Sequence, residues 1–239
     1  MDEIPNVMPI MVSFFTYGWV QQSIRCFQQH FPELKVLVID NNPTSFTQME
    51  NWNWGRSKAV NKRWRSLYKY SLAERDWLKD QSNVILVQPD RKGNKQITHG
   101  LCVDFALNWC KENSVDIMLC VEPDISFNDV KWFYNSLEPL LDDKYWITGK
   151  PAPISKLDRW QTAIHPCPIM LKVDKIKHSF NHMNLDKRYY DFSQMVWHRC
   201  NEKGRAKLVS DMKDFEHFWH GSYQNIARNE RNFPLVTFL

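Results

Sequence analysis

The 239-residue chain is poor in glycine, with seven residues that form neither a G-x-G-x-x-G turn nor a G-x-x-x-x-G-K-[ST] loop. The two commonest phosphate cradles of α/β proteins are therefore missing. No stretch approaches the roughly 18 consecutive apolar residues of a membrane span, and Met1-Asp2-Glu3 offers no basic n-region of a secretory leader. The expected location is the cytoplasm. Six cysteines, Cys26, Cys102, Cys110, Cys120, Cys167 and Cys200, stand far apart without a C-x-x-C pair. That spacing disfavours a zinc knuckle or a thioredoxin-like redox site and leaves reduced, mostly buried small side chains. Internal repeats and low-complexity tracts are also missing.

What is present belongs to an ordinary folded protein. A hydrophobic share of 43% and a charged share of 24% argue against disorder, and the length suffices for one compact unit spanning 1–239 with a sizeable core. A formal charge of +4 suits phosphate-bearing ligands or an acidic membrane surface without requiring either. Eleven tryptophans exceed what such a core needs and can offer flat platforms for sugar rings or bases.

Periodicity gives an alternation of strands and helices. Met8–Tyr17 reads as a buried strand, and Trp19–Phe31 as a helix carrying Val20, Ile24, Phe27 and Phe31 on one face. A second strand, Leu34–Ile39, ends at Asp40-Asn41-Asn42-Pro43. Further strands are expected at Val84–Val87 and Ile117–Val121, flanking a helix over about Ile97–Lys111. Beyond them come a helix at Asn128–Leu141, short strands at Tyr145–Thr148 and Ile169–Val173 separated by a proline-punctuated loop, and a helix at Phe192–Lys203. The tail from Asp211 reads as irregular. Asn51–Asp80, rich in Trp, Arg and Lys, reads as an inserted helical excursion or flap, or as a solvated helix. The pattern predicts an α/β fold with an open, mostly parallel sheet and helices on its faces, binding its ligand beyond the carboxyl ends of the strands.

Without a backbone cradle, a nucleotide diphosphate needs a cation, which directs attention to carboxylates at strand ends. Glu122 and Asp124 are two apart where a strand ends, so extended chain sends both to one face around Pro123. Together they can hold a hard divalent ion, although E-P-D alone is also an ordinary turn. Asp40 ends another strand at the same crevice and can accept an N–H of a nucleobase. Near the far end, His217-Phe218-Trp219-His220-Gly221-Ser222 places two imidazoles three apart, able to share a site if the segment turns helically. Asp191 is a candidate general base, and equally a helix cap, since Gln194 three residues later completes a capping-box pattern.

These positions, in this order, resemble the GT-A fold glycosyltransferases, especially bacterial and viral members similar to glycosyltransferase family 2. The resemblance rests on the first strand with Thr16, the strand end at Asp40, His99-Gly100 to Asp104, Glu122-Pro123-Asp124, Tyr190-Asp191, and His217 to Ser222. It implies a Rossmann-like nucleotide-sugar-binding half over about 1–126 and an acceptor-binding part over about 127–239. Thr16, Asp40, His99, Gly100, Asp104 and Glu122 would line the donor; Asp124 with His217 or His220 would hold Mn2+ or Mg2+; Asp191 would serve as the base of an inverting transfer. The family's usual motif is Asp-x-Asp, so Glu122 departs from it, and its longer side chain would reach the ribose or a metal-bound water. The implied partners are a nucleotide-diphosphate sugar and a glycan or lipid-linked glycan acceptor, as in polysaccharide biosynthesis. Peripheral membrane association is compatible with this, and no nucleic acid is expected. Two other readings stay open: a nucleotidyltransferase acting on sugar phosphates, although no glycine-rich loop with a following Arg or Lys succeeds the first strand, and a carbohydrate- or nucleic-acid-binding module built on Trp52, Trp54, Arg56, Lys58, Lys62, Arg63, Trp64 and Arg65.

Overall fold

The structure, a computed structural model, describes residues 5–14, 16, 18–45, 47–48, 58–90, 99–151, 164–177, 180, 192–212 and 214–217, the side chains of 58–67, 164–166, 192–195 and 217 excepted. Four parallel strands form its first half: β1 (Val7–Ser13), β2 (Val36–Asp40), β3 (Val84–Val87) and β4 (Ile117–Cys120). Their spatial order is β3-β2-β1-β4. The chain steps outward from β1 to β3 and then returns past β1 to lay down β4. This reversal leaves a crevice beyond the carboxyl ends of β1 and β4, the usual place for a ligand in such sheets.

The sheet continues through β7 (Ile164–Lys172), antiparallel to β4, then β6 (Ile147–Pro151) and β8 (Ala206–Leu208). Because β7 is also antiparallel to β6, and β6 is parallel to β8, both β6 and β8 run in the direction of β4. Their carboxyl ends thus share the crevice edge. A separate ribbon pairs β5 (Ile125–Phe127) with β9 (Phe215–His217).

Alternation along the strands divides the core in two. Met8, Ile10, Val12, Leu37 and Ile39 face the layer of α3 (His99–Glu112) and α5 (Phe192–Glu202), which contributes Val103, Ala106, Leu107, Val196 and Trp197. Val7, Met11, Val36, Val38 and Leu119 face α1 (Trp19–His30), α2 (Lys58–Lys79) and α4 (Lys131–Leu137) through Val20, Ile24, Phe27, Leu78 and Trp132. The expected α/β architecture with helices on both faces is what the chain adopts. All six cysteines are free thiols, five of them buried, and among the described residues no helix is long and apolar enough to cross a membrane.

Several boundaries differ from the sequence expectation. The first strand ends at Ser13, four residues before Tyr17, and hands Thr16 to the following loop. The helix expected at Asn128–Leu141 is α4 alone. Asp129 Oδ1 accepts the N–H of Lys131 at 3.0 Å and starts it late, and Pro139, lacking an N–H, turns the end into a 3-10 turn at Glu138–Leu140. The strand expected at Tyr145–Thr148 is β6, which starts at Ile147 and runs on to Pro151. Part of the proline-punctuated loop is strand, because β7 already begins at Ile164; β4 pairs only from Ile169 onward, so Pro166 and Pro168 lie where one side of β7 has no β4 residue to bond. The tail expected to be irregular from Asp211 contains β9. Finally, the described end of α2 is packed: Ser71, Glu74 and Leu78 are 3%, 4% and 1% exposed, which overturns the solvated-helix expectation for that stretch.

An aromatic cluster fastens the β5–β9 ribbon to the helices. Phe127 meets Phe27 at 5.1 Å and Trp132 at 5.1 Å between ring centroids, and Trp132 meets Phe215 at 4.7 Å. Phe127→Ala should therefore cost about 3–5 kcal/mol and lower the melting midpoint by on the order of 10 °C for a chain of this size, measured by calorimetry; a shift within a degree or two of wild type would show that the ribbon is held by other contacts.

Candidate functional site

The crevice is floored by three carboxylates brought in on different elements. Asp40, the last residue of β2, is 1% exposed. Its Oδ1 accepts the backbone N–H of Asn42 at 3.0 Å and the Asn42 side-chain amide at 2.9 Å. Its Oδ2 accepts Arg75 Nε at 2.5 Å and Gln88 Nε2 at 2.8 Å, while Arg75 Nη2 donates to Pro43 O at 3.2 Å. Four donors take the approximately four acceptor positions of one carboxylate. A nucleobase N–H therefore has to take the place of one of them, and Gln88 is the exposed residue among the donors.

The second carboxylate, Glu74, was not foreseen. It enters from α2 and gathers the loop after β1: Oε1 accepts Ser13 Oγ at 2.9 Å and Thr16 Oγ1 at 2.7 Å, and Oε2 accepts the N–H of Gly18 at 2.8 Å. Gly18 sits at φ 81, where a residue without Cβ is at ease. Thr16, expected to line the donor, is 2% exposed with its hydroxyl given to this carboxylate. Burial raises the pKa of Glu74; the three donated hydrogen bonds oppose that rise, and the charge of Asp40 adds to it. The signal for Glu74 was in the sequence. A charged residue on the inward row Ser71, Glu74, Leu78 of an amphipathic helix needs a buried reason to be there.

The third carboxylate is Asp124, fully buried in the loop between β4 and β5. The buried hydroxyl of Ser23, on α1, staples this loop on both sides of it: Ser23 Oγ accepts the N–H of Ile125 at 3.2 Å, and its single proton lies between Pro123 O at 2.5 Å and Ile125 O at 2.9 Å. One turn along, Cys26 Sγ meets the carbonyl and N–H of Phe127 at 3.3 and 3.4 Å. Glu122, half-buried, donates its backbone N–H to Cys167 Sγ at 3.2 Å. Burial drives the Cys167 thiol well up, and the Glu122 and Asp124 carboxylates push the same way, so these groups are close neighbours.

The ribbon register sets His217 opposite Ile125, the residue after Asp124. His217 therefore lies in extended backbone, so the helical turn that would let His217 and His220 share a site is not met at His217. Its side chain, together with His220 and Asp191, lies outside the described residues. Among the described residues, no three His, Cys, Asp or Glu side chains gather into a metal cluster. His99 and Gly100 open α3 just beyond β3, the former exposed and the latter buried, while Asp104, one turn further, accepts the N–H of Phe180 at 2.5 Å.

No protein-family model and no curated protein sequence matches the chain. Solved structures do. A mannosyltransferase from Pyrobaculum calidifontis, in complex with GDP-Man and Mn2+, superposes with a TM-score of 0.53 at 13% identity, over 88% of this chain and 56% of that one. The chain thus spans little more than half of that protein's length. The fold is that of the GT-A-type nucleotide-sugar transferases. Glucosyl-3-phosphoglycerate synthase from Mycobacterium tuberculosis, bound to Mn2+, UDP and phosphoglyceric acid, gives 0.51 at 11% identity over 97% of this chain and 72% of that one. The architecture extends to 4-diphosphocytidyl-2C-methyl-D-erythritol synthase from Anaerococcus prevotii, at 0.52 and 9% identity, covering 94% and 96% of the two chains.

Within this GT-A frame, Glu74 gives the fold a distinctive pH response. Its folded-state pKa is raised, so between the ordinary carboxylate value and the raised one the folded chain holds more protons than the unfolded chain, and this group's contribution to stability falls as pH rises. Glu74→Gln removes that contribution. Urea unfolding at about pH 5 and about pH 8 should show the stability of the variant relative to wild type increasing toward the higher pH; a pH-independent difference would mean that Glu74 is ionised over the whole range.

Proposed function

We propose that the chain is a metal-dependent glycosyltransferase that moves a sugar from a nucleotide-diphosphate sugar to an acceptor hydroxyl. The observation that carries this reading is the convergence at one crevice edge of a fully buried Asp124 in a loop stapled by Ser23 and a β9 strand that sets His217 opposite the next residue. Carboxylate oxygen and imidazole nitrogen form a donor set suited to Mn2+ or Mg2+. In this reading Asp124 and His217 hold the ion, with His220 as the alternative imidazole, and Glu122 reaches the ribose or a metal-bound water. Once bound, the ion supplies positive charge to the diphosphate leaving group.

The chain's own residues account for the rest. Asp40, held by Arg75 and Asn42, presents Oδ2 to a base N–H that displaces Gln88. His99, Gly100 and Asp104 border the donor from the start of α3, while the buried Thr16 acts beneath it by tying the loop after β1 to Glu74. Asp191 takes the proton of the acceptor hydroxyl as its oxygen attacks the anomeric carbon; the bond from that carbon to the diphosphate oxygen breaks, and a nucleoside diphosphate leaves with the configuration inverted. A glycan or lipid-linked glycan fits as acceptor. A second reading, nucleotidyl transfer to a sugar phosphate, has the near-complete overlap with the erythritol synthase in its favour. Its released product would be inorganic pyrophosphate.

The test is turnover in two assays: a panel of nucleotide sugars followed by released nucleoside diphosphate, and nucleoside triphosphates with sugar phosphates followed by released pyrophosphate. Nucleoside diphosphate should appear, and only with the divalent ion. Asp124→Asn should abolish turnover and the metal dependence of donor binding while leaving the melting midpoint nearly unchanged. Asp191→Asn keeps a good cap residue and should bind donor normally while losing roughly 10²- to 10⁴-fold in rate. Release of pyrophosphate instead would favour the second reading, and an Asp191→Asn rate near wild type would return that residue to capping.

A further inference from the structure

Across the sheet from Asp124, the carboxyl end of β6 carries Lys150, a cation that the foregoing chemistry leaves unused. β6 runs in the direction of β4, with β7 between them. Cys120 is in register with Ile169, and Ile169 with Gly149, so the residues just beyond them, Glu122 in the loop after β4 and Lys150 near the end of β6, come to either side of Cys167 of β7. Two strand spacings, about 10 Å, separate the backbones at the two sides. The register of β6 and β7 shifts between Gly149 and Pro151, so Lys150 lies opposite this irregular stretch.

The ammonium has few protein partners among the described residues. Lys150 is half-buried, yet among the described residues its one hydrogen bond runs to Phe215 O at a long 3.4 Å, with its charge 5.9 Å from the centroid of the Phe215 ring. An ammonium has three donors to place. Desolvation lowers its pKa, while Cys167 and Glu216 counter the shift. Phe215 pairs with Phe127 on the ribbon whose other end follows Asp124, and the Cys167 thiol acts electrostatically on Lys150 and is itself acted on by Glu122 and Asp124, so the cation and these carboxylates lie around one buried thiol. A positive group whose donors the described residues do not fill, across β7 from the loop to which the glycosyltransferase reading assigns a metal, suits an anion bridging the two.

We propose that Lys150 is an anion-binding residue of this crevice that donates to a phosphoryl oxygen of the diphosphate from the β6 side, opposite the Asp124 metal side. This rests on the glycosyltransferase reading for the identity of the anion. A structural role would be different in kind: as a mere counter-ion to Glu122, Asp124 and Glu216, Lys150 would compete with a divalent cation.

Calorimetric titration with inorganic pyrophosphate in the presence of Mg2+, and with Mn2+ alone, separates these roles. Lys150→Met keeps the apolar stem and removes the charge; it should weaken pyrophosphate binding about tenfold or more, the scale of a lost hydrogen bond to a charged group, and leave Mn2+ affinity unchanged. Lys150→Arg should retain most of the pyrophosphate affinity. Should Lys150→Met fail to fold, wild-type protein labelled with acetic anhydride answers the same question: Mg2+-pyrophosphate should protect Lys150 from acetylation. Unchanged pyrophosphate affinity in a folded Lys150→Met, tighter Mn2+ binding in that variant, or no protection would overturn the proposal while leaving the transferase reading intact. A wild-type chain that binds neither pyrophosphate nor metal would overturn both.

Discussion

Three carboxylates, Asp40, Glu74 and Asp124, are buried at the carboxyl-end side of a mostly parallel sheet, and the surrounding structure is arranged to make that tolerable. An uncompensated buried charge is expensive, and breaking its compensation is costlier than never having had it. Each acid here is met by a different device. Asp40 has a guanidinium and three amide donors, Glu74 has two hydroxyls and a backbone N–H, and the loop of Asp124 is stapled by Ser23. Removing a partner of Asp40 or Glu74 leaves an acid stranded where the sheet topology opens its crevice, and removing Ser23 frees the backbone on both sides of Asp124. The energetic demand and the functional site therefore coincide.

The devices are also linked. Glu74 and Arg75 are consecutive residues of α2, so one helix holds both the loop after β1 and the end of β2. Ser23 and Cys26 lie one turn apart on α1 and hold both ends of β5. The aromatic cluster of Phe27, Phe127, Trp132 and Phe215 then carries β9, and with it His217, on the same ribbon. Two helices on one face of the sheet thus set the geometry of the crevice, while α3 and α5 cover the other face.

Much of this was legible from residue order. Continuous apolar runs ended by acids and turn residues located β1 to β4 and the crevice, because buried parallel strands and their carboxyl-end turns leave strong local signals. The three-residue strands β5, β8 and β9 were not legible, since periodicity needs more length than they have and their pairing is decided by partners far away in sequence, Ile125 with His217 and Ile147 with Ala206. For the same reason the extended backbone at His217 was not foreseen in a tail that reads as irregular. Asp40 and Asp124 were located correctly at or just beyond strand ends, whereas Thr16, expected within the first strand, lies in the loop after it; the residues that hold these loops, Glu74, Arg75 and Ser23, were not found, because hydrogen bonds between elements depend on packing rather than spacing. Lys150 escaped notice as a single lysine in a short strand; only the sheet order places it across from Asp124.

The central claim is that the crevice binds a nucleoside diphosphate through a metal ion, and thermal unfolding of the wild-type chain with a panel of nucleoside diphosphates, with and without Mn2+, tests it most directly. At a hundredfold excess over its Kd, a ligand specific to the folded state contributes about 2.7 kcal/mol, which for this size raises the midpoint by roughly 5 to 10 °C. The account predicts such a rise for at least one nucleotide only when nucleotide and Mn2+ are both present. A rise of the same size with nucleotide alone, or none with any nucleotide and metal together, would contradict it.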